Sequence, residues 1–158
     1  PDVALILVGR SGPTLETLRD LAQGLNVYFL VDIPRADTIA AYFNSDLFVF
    51  ASQLEASPLV ILEAKAAHLP FVSTDVGNVK EWKGGVVCDL SVMPAEVLGL
   101  LQNRSRHQAL AEEGWQEYRQ KHTWNAVVDR YESLYLRLHR GKAAGSMAFF
   151  PSTVANAR

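Results

Sequence analysis

At 158 residues, with 49% hydrophobic and 20% charged side chains, the chain has the composition of one globular domain, which excludes a disordered protein. Fifteen basic and seventeen acidic residues give a formal net charge of −2, and no basic block would attract nucleic acid or an anionic membrane by charge alone. No apolar run reaches the ~20 residues of a membrane span, and the lone cysteine, Cys88, excludes an internal disulfide and fits a reducing, cytoplasmic compartment.

The first half of the sequence alternates short apolar runs with helical spacing. Residues 3–8 form an apolar run ended by glycine, which is typical of a strand buried on both faces of a parallel sheet. Leucines three or four residues apart predict a helix over residues 14–25, and residues 27–31 predict a second strand. A turn at residues 33–37 leads into another helix.

The second half continues this alternation and then becomes helical. It contains three predicted strands, a helix that begins at Ser57-Pro58, and three later helices: strands 47–51, 71–74 and 85–88, and helices 94–101, 109–118 and 124–138. The alternation predicts an α/β fold, a parallel sheet with helices on both faces, over residues 1–140. Residues 141–158 collect Gly, Ala and Ser and predict a loose C-terminal tail.

Four segments of the sequence directly follow predicted strands: Gly9, Asp32, residues 52–57 and residues 75–78. Ligands of open parallel sheets bind beyond the carboxyl ends of the strands. We therefore expect these segments to share one rim.

The junction at Ser57-Pro58 predicts an anion site. Serine is a preferred capping residue, and proline is favoured at the first position of a helix. The amides of Leu59 and Val60 then have no partner within the helix, and the positive end of its dipole faces the rim. Phosphate groups bind well at such a helix start.

Two acids eight residues apart, Glu55 and Glu63, flank this junction. Glu63 lies in an almost wholly apolar helix, where a carboxylate needs hydrogen-bond donors. Sugar hydroxyls would serve, and so would an arginine elsewhere in the chain. Lys65 cannot pair with Glu63, because two residues place them about 200° apart, and it predicts the solvent edge of the helix.

The segment E-A-S-P-L-V-I-L-E, followed by A-K-A-A-H-L-P-F-V-S-T-D-V-G-N, resembles the signature of the retaining group 1 glycosyltransferases. This family includes glycogen-synthase-like, sucrose-synthase-like and mannosyltransferase enzymes. Further motifs of the family resemble residues 27–33, residues 46–52 and the H-T-W at the start of the last helix. The resemblance covers about residues 3 to 139.

The resemblance implies the Rossmann-like C-terminal half of a GT-B glycosyltransferase, which binds a nucleotide-sugar donor. By similarity, Glu63 would bind the ribose and Glu55 would stabilise the reacting sugar as the catalytic residue. The backbone of residues 57–60 would contact the sugar or diphosphate, Ile33 would meet the base, and Gly9 would allow close approach of the donor. The resemblance implies transfer with retention of configuration, without a metal ion or other cofactor.

The resemblance also implies what residues 1–158 lack. Residues 3–9 align with the family's second strand, so the domain would lack its first strand and helix and their diphosphate-binding arginine and lysine. An N-terminal domain that binds a carbohydrate, lipid or protein acceptor, and that mediates any peripheral membrane association, would also be absent. We expect these residues alone not to catalyse transfer.

Two alternatives stay open at this point. Ala56-Ser57-Pro58 stands where the family usually has glycine after the first glutamate, which is compatible with a non-catalytic nucleotide-sugar-binding module. Sugar-nucleotide epimerases share the architecture and use a cleft histidine, for which His68 is the candidate. A dehydrogenase is disfavoured, because residues 9–12 lack the Gly-x-Gly-x-x-Gly spacing.

Overall fold

The computed structural model describes residues 3–145 and confirms the α/β fold. The strands are β1 (Leu5–Gly9), β2 (Val27–Val31), β3 (Phe48–Phe50), β4 (Phe71–Ser73) and β5 (Gly85–Val87). The helices are α1 (Leu15–Leu21), α2 (Arg35–Phe43), α3 (Leu59–Ala66), α4 (Met93–Gln102), α5 (Arg104–Lys121) and α6 (Trp124–Gly145), with a 3-10 turn at Val79–Glu81. Within residues 3–145, no helix combines the length and the apolar character that crossing a membrane requires.

All strand pairs are parallel, but the strands form two sheets and not one continuous ladder. Strand β1 pairs with β2, with Leu5 opposite Val27. The second sheet has the order β3-β4-β5, with Phe71 of β4 opposite both Phe48 and Gly85. Among the described strands, four therefore have one partner and one open edge: β1, β2, β3 and β5.

The hydrophobic core surrounds β4, whose three residues are all buried. Successive side chains of a strand point to opposite faces, so Phe71 and Val72 face different clusters. Phe71 packs with Ile61 of α3, whereas Val72 packs with Met93 and Leu100 of α4. Helices therefore cover both faces of this sheet, as the alternation of elements predicts.

The first two strands are less covered than the sequence predicts. The apolar run of β1 suggests burial on both faces, but Leu5, Ile6 and Val8 are exposed. In the described structure, every buried hydrophobic residue of the core lies between Ile61 and Ala111. The prediction of a fully buried first strand is thus wrong, because no described element covers its outer edge and faces.

Several element boundaries differ from the sequence prediction. Helix α1 ends at Leu21 and the chain turns at Gly24, which has a φ of 76°. Helix α2 already begins at Arg35, inside the predicted turn. Helix α6 continues to Gly145, into the segment predicted as a tail, and residues 146–158 lie outside the described residues.

A buried ionic cluster joins α3 to α5. Lys65 is fully buried, and its Nζ lies 2.6 Å from Oε2 of Glu117. Glu117 also accepts hydrogen bonds from the Lys83 amide at 2.8 Å and from Lys121 Nζ at 3.0 Å. Burial alone would raise the pKa of Glu117, but these donors outweigh it and lower the pKa to about 2. The expected solvent edge at Lys65 is therefore wrong, since its partner is distant in sequence.

Candidate functional site

The carboxyl ends of β1 and β2 bound a cavity of about 360 Å³. Gly9 and Ile33, both predicted donor-binding residues, line it together with Asp32. The Asp32 carboxylate accepts the Ser11 amide at 3.2 and 3.3 Å, and hydrogen bonds from Ser11 lower the pKa of Asp32. These contacts attach the loop after β1 to the residue that follows β2.

Glu63 forms an ion pair with Arg35 of helix α2. Arg35 Nη2 lies 2.5 Å from Oε1 of Glu63, and Nη1 lies 3.3 Å from Oε2, so both carboxylate oxygens are engaged. The side chains are 59% and 32% exposed, respectively, so the pair lies at an accessible surface and not in a sealed interior. A ligand hydroxyl would have to share this carboxylate with the guanidinium.

Tyr42 lies beside this pair and packs on Phe48 with ring centroids 5.5 Å apart. Burial and the neighbouring Glu63 charge raise the pKa of Tyr42, so the phenol stays neutral at physiological pH. Helix α2, which follows the Ile33 cavity, is thereby attached to both β3 and α3.

Glu55 lies in an exposed loop between β3 and α3. Its carboxylate forms neither a hydrogen bond nor an ion pair within the described structure, so it is free to meet a ligand. The helix after it begins with Pro58 at the N-cap, and the Ser57 side chain accepts no capping hydrogen bond, contrary to the sequence prediction.

The first amides of α3 are free, as the sequence predicts. Leu59 and Val60 donate no backbone hydrogen bond to the described residues, and the first amide that does so is that of Ile61, to Pro58 at 3.2 Å. Helix α3 therefore presents unpaired donors beside the Glu55 loop, an arrangement suited to an anionic group.

A second cavity, of about 860 Å³, lies between this helix start and helix α6. Ser57 and Asn78 line one side, and the α6 residues include Arg130, Tyr131 and Arg137. The buried Oδ1 of Asn78 has no hydrogen-bond partner among the described residues. The sequence does not predict that α6 residues line this cavity, because the periodicity of a helix does not reveal which loop the helix contacts.

The structure therefore divides the predicted rim into two cavities. Gly9 and Ile33 meet in the smaller one, Ser57 lies at the larger one, and Glu63 reaches α2. His68 is engaged elsewhere, since it stacks on Trp115 with centroids 5.1 Å apart and its Nε2 lies 3.0 Å from Glu112. In residues 3–145, no group of three or more histidine, cysteine or acidic residues could hold a metal ion.

Comparisons with known proteins place this arrangement in context. The family model described as glycosyl transferases group 1 matches residues 1–112. N-acetyl-alpha-D-glucosaminyl L-malate synthase of Bacillus anthracis is 27% identical over 155 residues, which cover 92% of this chain and 40% of that protein. The chain thus spans less than half the length of this curated relative.

Solved structures show the same fold. Sucrose-phosphate synthase of Thermosynechococcus elongatus superposes with a TM-score of 0.70 at 22% identity, covering 87% of this chain and 39% of that one. HepE of Anabaena, solved in complex with UDP-glucose, gives a TM-score of 0.68 at 21% identity, covering 85% of this chain and 41% of that one.

Proposed function

Because the chain belongs to the group 1 family of glycosyl transferases, we propose that it is the donor-binding domain of an enzyme that transfers a sugar from a nucleotide sugar to an acceptor with retention of configuration. One observation carries this proposal: the exposed loop of Glu55, whose carboxylate pairs with no described residue, leads directly into the free amides that begin helix α3. A carboxylate and amide donors are the groups that a sugar diphosphate requires. The UDP-glucose complex of HepE supports a nucleotide sugar as the donor.

Each predicted residue has a role consistent with its position. The cavity at Gly9 and Ile33 would take the base, and Glu63, held by Arg35, would accept hydrogen bonds from the ribose. The amides of Leu59 and Val60 would stabilise the diphosphate as it leaves. Glu55 would hold a sugar hydroxyl and stabilise positive charge at the anomeric carbon. The reaction proposed needs neither a metal ion nor another cofactor.

The acceptor would bind outside residues 1–158. Because the chain spans 40% of the Bacillus anthracis relative, we assign acceptor binding to a further, N-terminal domain and expect residues 1–158 alone not to catalyse transfer. That domain would bind a carbohydrate, lipid or protein acceptor and would carry any membrane association, in a cytoplasmic enzyme.

The test is a pair of substitutions in the full-length protein, assayed with a panel of nucleotide sugars. Glu63→Ala removes charged hydrogen-bond acceptors, so donor affinity is expected to fall about 10- to 100-fold by isothermal titration calorimetry. Glu55→Gln removes the charge but keeps the shape, so turnover is expected to fall by at least about 100-fold while donor affinity changes little.

Glu16→Gln is the matched control, because among residues 3–145 this exposed acid pairs with Arg19 of helix α1 alone. Unchanged donor affinity in Glu63→Ala would remove the ribose role. Donor binding by the wild-type protein without any transfer would favour the non-catalytic module, and isomerisation of the free nucleotide sugar would favour an epimerase. Full activity in Glu55→Gln would refute the catalytic role.

A further inference from the structure

The loop that carries Glu55 has few connections of its own. Residues 53–57 form no backbone hydrogen bond to any other part of the described structure. The one internal side-chain bond joins Ser52 Oγ to the Leu54 carbonyl oxygen at 3.3 Å, and Leu54 is 89% exposed. A loop of this kind would let Glu55 sample many positions unless neighbouring elements restrained it.

Thr74 restrains the loop on the amino-terminal side of Glu55. This residue follows β4 and is only 8% exposed. Its amide donates to the Phe50 carbonyl at 3.1 Å, which extends the pairing of β3 and β4 by one residue. Its hydroxyl then donates to the Ser52 carbonyl oxygen, three residues before Glu55. The buried hydroxyl thus attaches the beginning of the loop to the core sheet.

Gly77 restrains the loop on the carboxyl-terminal side of Glu55. With a φ of 54°, Gly77 has a backbone conformation that disfavours residues with a side chain. A Cβ at this position would lie 2.6 Å from the Ala56 carbonyl carbon, would meet its oxygen, and would lie 2.9 Å from the Glu55 carbonyl oxygen. The turn after β4 therefore packs directly on the backbone carbonyl groups of Glu55 and Ala56, at a distance that only glycine permits.

From these two contacts we propose that Thr74 and Gly77 are positioning residues, which hold Glu55 in the orientation that sugar transfer requires. The inference rests on the role proposed above for Glu55. Neither residue would touch the reacting atoms. They act through the loop, which Thr74 holds three residues before Glu55 and Gly77 contacts at the carbonyl groups of Glu55 and Ala56.

The first test compares Thr74→Val, which has the same shape without the hydroxyl, with Thr74→Ser, which keeps it. In the full-length protein, Thr74→Val is expected to lower kcat about 10- to 100-fold with less than about 3-fold change in the donor KM, as misplacement of a catalytic group does. Thr74→Ser should restore most of the activity. Proteolytic cleavage within residues 52–57, followed by mass spectrometry, should accelerate in Thr74→Val alone, because a less restrained loop is cut more readily.

The second test compares two glycines with positive φ. Gly77→Ala adds both backbone strain and the collision with the Glu55 and Ala56 carbonyl groups, whereas Gly24→Ala adds strain without any atom within 4 Å of the new Cβ. We expect Gly77→Ala to lower kcat and to accelerate proteolytic cleavage within residues 52–57, and Gly24→Ala to leave both unchanged.

The cleavage and kinetic measurements separate this inference from the proposed function. An unchanged cleavage rate within residues 52–57 in Thr74→Val would overturn the inference, and so would faster cleavage with full kcat. Wild-type activity in Glu55→Gln would overturn the proposed role of Glu55 and with it the catalytic part of the inference, whereas the cleavage data would still report the contact itself. Equal loss of kcat in Gly24→Ala and Gly77→Ala would show that strain alone explains the effect.

Discussion

Glu63 and Lys65 occupy the same short helix, α3, yet their charges are neutralised in different surroundings. Glu63 meets Arg35 at an accessible surface, and Lys65 meets Glu117 in the core, 4% exposed. An exposed pair of this kind contributes little to stability, whereas removing one partner of a buried pair leaves an uncompensated charge. The second pair therefore supports folding, whereas the first is accessible for the ligand-binding role proposed for Glu63.

Glu117→Gln is expected to destabilise the protein at pH 7 by about 3–5 kcal/mol, because Lys65 then stays buried without its counter-charge. Urea unfolding monitored by circular dichroism would measure this loss. Glu113→Gln is the control, since Glu113 forms an exposed pair with Lys83. A loss equal to that of the control would contradict the importance of the buried pair.

The pH dependence of stability gives a second prediction about Glu117. Its pKa is lowered from 4.5 to about 2 by folding, so between these values the unfolded chain binds more protons than the native one. The contribution of Glu117 to stability is complete above pH 4.5 and is lost as the pH falls towards 2. The free energy of unfolding should decrease as the pH decreases across this range in the wild type, and should decrease less steeply in Glu117→Gln.

Among the helices, α5 approaches the sheet through glycine. Gly114 lies against Gly84, whose φ is 93°, in the turn before β5. A Cβ on Gly114 would stand 3.0 Å from the Gly84 Cα and 3.4 Å from Lys65 Cγ. This close approach brings Glu117, one turn later on α5, to the Lys65 ammonium.

Two helical glycines should consequently respond in opposite ways to alanine. Gly99→Ala in α4 has no atom within 4 Å of the new Cβ and should stabilise the protein by about 0.5–1 kcal/mol through helix propensity. Gly114→Ala gains the same helix propensity, but its Cβ would collide with the Gly84 backbone. We expect it to lower the free energy of unfolding by about 1–3 kcal/mol. Thermal unfolding by calorimetry would compare them, and stabilisation of both would show that the α5 contact yields without strain.

Periodicity and strand signals could predict the elements but not the contacts between them. Val27–Val31 is the second strand as predicted, because five consecutive apolar residues leave little choice. The partners of Glu63 and Lys65 stand 28 and 52 residues away, and no local pattern encodes them. The restraint on Glu55 was equally hidden, since a threonine and a glycine after a strand are ordinary turn residues.

At the scale of the whole chain, the open edges of β1 and β3 and the exposed apolar residues stand out. Leu5, Ile6 and Val8 are exposed on β1, and α6 exposes Trp124 to 84% as well as Tyr135. Unpaired strand edges and large apolar patches are surfaces that proteins normally cover. We propose that a further strand and helix cover β1, consistent with the alignment of residues 3–9 to the family's second strand.

Residues 1–158 expressed alone are accordingly expected to self-associate, with a sedimentation coefficient that rises with concentration. Ile6→Lys should reduce this association, because it places a charge on the uncovered strand. Leu54→Lys, in an exposed loop apart from the strand, is the control and should not. A monomer at all concentrations, with cooperative unfolding, would show that these surfaces need no cover.

Because the buried core is confined to residues between Ile61 and Ala111, the part of the chain before Ile61 has less packing to hold it rigid. The half that contains the Ile33 cavity contacts the rest of the chain at a few places, among them the Arg35–Glu63 ion pair and the packing of Tyr42 on Phe48. A nucleotide bound to both halves would restrain the less buried half against the more buried one. Binding of the proposed donor would then stabilise the tertiary structure, and β1 and β2 would gain the most rigidity.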